Sequence, residues 1–65
     1  MIFLKQVTNV NTGFLCKIIY DKYNNLYKVI YFKNHESEKE EIICYSHYSA
    51  YEKLWELEKM DNHAS

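Results

Sequence analysis

The chain contains no arginine and no proline, and Gly13 is its only glycine. Arginine is the usual bidentate reader of guanine edges, phosphate and carboxylate, and all eight basic side chains here are lysines. A lone glycine excludes a Gly-rich phosphate loop, and no G-x-S-x-G turn occurs. Neither sign of charge dominates: nine acids against eight bases give a formal charge of -1, unlike the strongly basic balance of most nucleic-acid-binding domains. No apolar run approaches the roughly 18 residues of a membrane helix. The apolar run in Met1-Ile2-Phe3-Leu4-Lys5 is too short for the core of a secretory signal. The expected compartment is therefore the cytoplasm, with no membrane association, where Cys16 and Cys44 stay reduced.

Lysine, asparagine, isoleucine and tyrosine are abundant instead. AT-rich codons encode these four, and arginine and proline are depleted in AT-rich coding sequence. The missing arginine is thus read first as a property of the genome. Sixty-five residues make one small domain, 1–65, with room for neither a doubly wound fold nor a barrel. A chain of this size buries only about 60% of the surface its unfolded form exposes, so its stability is marginal. Hydrophobic residues are nevertheless 48% and aromatics 17%, a composition that folds rather than remaining disordered. Seven tyrosines, each with an apolar ring and a polar tip, suit half-buried sheet surfaces and interfaces.

The pattern predicts an α+β domain: an antiparallel meander of three to four strands with one C-terminal helix packed on one face. Strands are expected at about 2–7, 14–22, 26–33 and 42–45. Thr8 to Gly13 is a turn cluster that Gly13 closes. Asn24-Asn25 reads as a two-residue hairpin turn, which sets Tyr20 opposite Val29, Ile19 opposite Ile30 and Asp21 opposite Lys28. A four-residue turn from Lys22 would move these pairs. The hairpin has one face of Phe14, Cys16, Ile18, Tyr20, Tyr27, Val29 and Tyr31, free of interior charge and expected to be the core. Its other face mixes Leu15, Ile19, Tyr23, Leu26, Ile30 and Phe32 with Lys17, Asp21 and Lys28.

Asn34 to Glu41 is polar and reads as a loop. The helix is expected at about 49–60, opened by Ser46 or Ser49. Ser49 with Glu52 has the capping-box spacing. Ala50, Tyr51, Leu54, Trp55 and Leu57 form its apolar stripe, with Tyr51 and Trp55 expected in the core, and Asp61 to Ser65 should fray.

Few groups carry recognisable chemistry. Cys44-Tyr45-Ser46-His47 brings a thiol and an imidazole close in sequence, at a spacing that serves nucleophiles and metal sites alike. The plainer reading is preferred: a small buried thiol at a strand end and a histidine at the helix entrance. No catalytic residue, metal site or cofactor is expected, and the chain is read as a non-enzyme.

Binding is the expected role, through a small interaction protein that modulates a protein partner. The style of the sequence fits a phage or mobile-element protein acting on a host factor, with homodimerisation through the second sheet face or a free strand edge as a corollary. The interface candidates are Ile19, Tyr23, Ile30 and Phe32. Two alternatives use charge. Lys17, Lys28 and Lys33 beside Tyr31 would hold a nucleic-acid strand by charge and stacking. Glu36, Glu38, Glu40 and Glu41 would form an acidic knob that mimics phosphates and inhibits a nucleic-acid enzyme.

Overall fold

The computed structural model describes residues 1–32 and 39–64, with side chains described as far as Asp61. Four antiparallel strands follow one another as a meander, and one helix packs against the sheet. The strands are β1 (Ile2–Asn9), β2 (Phe14–Asp21), β3 (Leu26–Phe32) and β4 (Glu40–Cys44), in the sheet order β1-β2-β3-β4. The helix, α1, spans His47–Ala64. The α+β expectation holds, while the boundaries shift. β1 runs two residues further, β4 begins at Glu40 rather than residue 42, and the helix gains residues at both ends. Lys33 lies outside the described residues.

Period-2 alternation in β2 decides which face is buried. Phe14, Cys16 and Ile18 point to one side with Val29 of β3, and Cys44 of β4 joins them. Ala50 and Leu54 of α1 close this core. Ile18, Leu54, Val29 and Cys16 are the largest fully buried side chains. The charge-free hairpin face is thus the one the helix covers. Tyr27, Tyr31 and Tyr51 pack at its margin, half-buried, as tyrosines with a polar tip do.

The β2–β3 turn departs from the two-residue expectation. Asp21 pairs with Leu26, Tyr20 with Tyr27 and Ile18 with Val29, which leaves Lys22 to Asn25 as a four-residue turn. The cause is Asp21. Its Oδ1 accepts the backbone N–H of Tyr23 at 3.1 Å and of Asn24 at 3.3 Å, and its Oδ2 accepts the Asn24 side-chain amide at 2.8 Å. Asn25 takes the left-handed conformation, φ 53°. A shift of two residues leaves every side chain still within the strands on its expected face, because the side-chain period is two; Tyr23 passes into the turn.

The β1–β2 turn is held in a similar way. Gly13, at φ 77°, donates its N–H to the Asn9 carbonyl at 2.9 Å. Thr12 Oγ donates to the Asp61 carboxylate at 2.8 Å, and Asn9 Nδ2 donates to the same oxygen at 3.3 Å. This tie reaches the last turn of α1, so Asp61 is anchored where fraying was expected.

Of the two expected openers, Ser46 caps α1, and the capping-box pair Ser49 and Glu52 lies inside the helix. Ser46 Oγ accepts the Ser49 N–H at 3.1 Å, satisfying one of the free donors of the first turn. Trp55 is also corrected: it is 57% exposed, and the core is filled by Ala50 and Leu54 instead. At 100° per residue, Trp55 lies a full quarter-turn round from Leu54, on the flank of the helix.

Candidate functional site

α1 lies over β2, β3 and β4 on one side of the sheet. The other side has no covering element among the described residues. Cross-strand register sets its composition. One row runs Gln6, Lys17, Ile30 and Glu41; the next runs Phe3, Ile19, Lys28 and Ile43; Thr8, Leu15 and Phe32 form a third. Lysine and aliphatic residues therefore alternate both along and across the strands.

This alternation builds a half-open groove of about 340 Å³. Ile19, Ile30 and Phe32 form its apolar floor, with Met1 also in the lining, and Lys17, Lys28, Lys39 and Glu41 supply its charge. Ile30 is only 6% exposed, although no second layer among the described residues covers this face. Long lysine stems can cover apolar surface while their ammonium groups stay in water. Lys28 Nζ lies 3.8 Å from Glu41 Oε1, an exposed-type pair contributing about 0–1 kcal/mol. Three lysines and one glutamate leave the groove at +2, so the remainder of the chain carries -3.

Three of the four expected interface residues meet here: Ile19, Ile30 and Phe32. Ile30 is a buried floor residue rather than an exposed one. Tyr23 does not join them. It stands in the β2–β3 turn, 85% exposed, with Lys22 Nζ at 6.0 Å from its ring centre. Its displacement follows from the longer turn. Lys39 was missed in the sequence because it sits in a stretch dominated by acids, and only the β3–β4 register brings it to the groove.

The other candidate sets are divided. Lys17 and Lys28 lie on the uncovered face, whereas Tyr31 points to the helix face and packs against the core. The expected stacking platform is therefore separated from its lysines by the thickness of the sheet. Glu40 and Glu41 are strand residues, not loop residues, and successive strand residues point to opposite faces. Glu41 borders the groove and Glu40 lies across from Tyr31, so these two do not form a common acidic knob. Glu36 and Glu38 lie outside the described residues.

Cys44 and His47 also part company. Cys44 is buried, and removal from water pushes its thiol pKa up despite the opposing charge of Lys53. His47 is exposed and lies between two tyrosines, its ring centre 4.6 Å from that of Tyr51 in a tilted arrangement and 6.2 Å from that of Tyr27 edge-on. The Cys16 thiol is pushed up to about 11, mainly by burial and then by the charge of Glu58. Thiols held in the neutral form are poor nucleophiles and poor ligands. Among the described residues, no three His, Cys, Asp or Glu side chains converge in a metal-binding group. No described helix is long and apolar enough to cross a membrane.

No protein-family model, no curated protein and no solved structure matches this chain.

Proposed function

We infer that this protein is a non-enzymatic binding module, and that its uncovered sheet face takes an acidic, apolar segment of a partner protein. The observation that carries this reading is the groove, with its aliphatic and aromatic floor beneath three lysines and one glutamate. Concave apolar surface with a few placed polar groups is the usual form of a binding site. An apolar side chain of the partner would cover Ile19 and Phe32, and its carboxylates would meet Lys17 and Lys39. The rim charge speeds encounter and selects against basic partners more than it adds affinity. Two copies stacked groove to groove would set lysines against lysines, so a foreign acidic segment suits this face better than self-association.

Nothing lining the groove supports catalysis. Its side chains are Met, Lys, Ile, Phe and Glu, and the carboxylate is paired with Lys28. Nucleic acid is a weaker reading, because Tyr31 packs against the core on the opposite face. A modulatory action on a host factor extends the same reading and depends on what the partner is.

Affinity capture from cells of the source organism, using the immobilised whole chain after nuclease treatment, tests the proposal. A protein retained by the native chain should be lost with Lys17→Glu/Lys39→Glu. It should be retained with Glu52→Lys/Glu56→Lys on the outer side of the helix. Retention that ignores the lysines, or that disappears with nuclease, would refute it.

A further inference from the structure

The two edges of the sheet are built differently. β4 is five residues long and begins with Glu40 and Glu41, charges of the kind that discourage edge pairing. β1 is eight residues long and has Lys5 as its one charged side chain. Among the described residues, its ladder is to β2 alone. A register irregularity between Phe3 and Lys5 interrupts that ladder, but Lys5 to Asn9 continues without a break. Bulges blunt an edge locally, so five regular residues remain open to a partner.

Exposed apolar groups collect at both ends of this strand. Ile2 is 47% and Phe3 59% exposed, and they lie on opposite faces; Val10, just past the other end, is exposed as well. The last turn of α1 meets this strand at its far end, where Asp61 accepts hydrogen bonds from Asn9 and Thr12.

The geometry points to a second copy of this chain as the occupant of the β1 edge: β1 pairs antiparallel with its counterpart to give one continuous eight-stranded sheet. Antiparallel pairing brings the Ile2–Phe3 end of each strand to the Val10 end of the other, so apolar ends meet apolar ends. The near absence of charge on β1 leaves its edge open to a like strand, whereas the charged residues of β4 blunt that edge. Such an interface is two-fold symmetric and closes at the dimer, so it does not propagate into a fibre. Both helices lie on the same face of the joined sheet, and both grooves stay open on the other. The inference rests on the strand edge and not on what the groove binds.

Light scattering on the whole chain, from low micromolar to millimolar concentration, tests it. The expected mass rises to twice 7.9 kDa for the native chain. Ile2→Lys/Phe3→Lys should stay at 7.9 kDa with an unchanged far-ultraviolet spectrum, because both side chains are exposed in the monomer. Ile43→Lys on β4 should still double in mass. Hydrogen exchange gives a second measurement that needs no variant: amides of residues 5–9 should exchange more slowly in the concentrated sample. A native chain that stays at 7.9 kDa throughout overturns the inference. A dimer that survives Ile2→Lys/Phe3→Lys, or is lost with Ile43→Lys, overturns the assignment to β1.

Discussion

Truncating Leu54 to alanine should cost the fold clearly more than truncating Ile30 to alanine. Both side chains are buried, and both lose the same three carbon atoms. The loss of apolar transfer energy is the same for each, about 2 kcal/mol at roughly 0.8 kcal/mol per methylene. The surroundings differ. Leu54 sits between the helix and a sheet face formed by Cys16, Ile18, Val29 and Cys44, so its removal leaves an enclosed void. Voids of this kind bring the total for Leu→Ala to about 3–5 kcal/mol. Ile30 lies on the uncovered face, where water and the lysine stems can fill the space, so its cost stays near 2 kcal/mol. Total stability for 65 residues is about 3–10 kcal/mol, so Leu54→Ala brings the chain close to unfolding at room temperature. Urea titration at low micromolar protein, followed by far-ultraviolet circular dichroism, is the suitable assay. Trp55 is already exposed in the folded state and would report unfolding poorly by fluorescence. At about 1 kcal/mol per molar urea, the two midpoints should differ by about 1 M or more. Equal midpoints, or a larger loss for Ile30→Ala, would mean that the second face is covered, and would refute the two-sided reading of the sheet.

Two further outcomes follow from local structure. Ser46→Ala should cost about 1 kcal/mol in the same titration and Ser49→Ala clearly less, since Ser46 Oγ is the acceptor that caps the helix; the reverse order would return the cap to Ser49. Asp21 is held below the usual carboxylate range, first by the Asn24 side-chain amide and then by the backbone N–H groups of Asn24 and Tyr23, with Lys28 adding to the effect. A lowered folded-state pKa contributes stability that is present above the unfolded value of about 3.9 and is lost as pH falls through the folded value. Thermal melts between neutral and strongly acid pH should therefore show a loss below about pH 4 that is shallower in Asp21→Asn; identical acid limbs would show that Asp21 does not contribute.

Faces were legible in the sequence, and pairings were not. Charge-free alternation from Phe14 to Tyr20 and from Tyr27 to Tyr31 marked the buried side, because a face packed under a helix cannot hold lysine. The register depended on whether Asn24-Asn25 or the Asp21 carboxylate organised the turn. Asp21 prevailed through three hydrogen bonds, and Asp at the first position of a longer turn was the available signal. Trp55 was misplaced because it borders the apolar stripe: hydrophobicity alone does not say which edge of a stripe the sheet reaches. The groove was half legible. Ile19, Ile30 and Phe32 lie on β2 and β3, whose pairing is local. Lys39 and Glu41 arrive through β4, whose register is set by pairs such as Val29 with Ile42 that no short-range pattern fixes.

The central claim is that this small sheet binds with the face its helix leaves open. Amide chemical-shift mapping of the whole labelled chain with the captured partner tests it most directly. The account predicts that the perturbed amides cluster at Lys17, Ile19, Lys28, Ile30, Phe32 and Glu41. A cluster on the outer side of the helix, around Glu52, Trp55 and Glu56, with the groove amides unmoved, would contradict it.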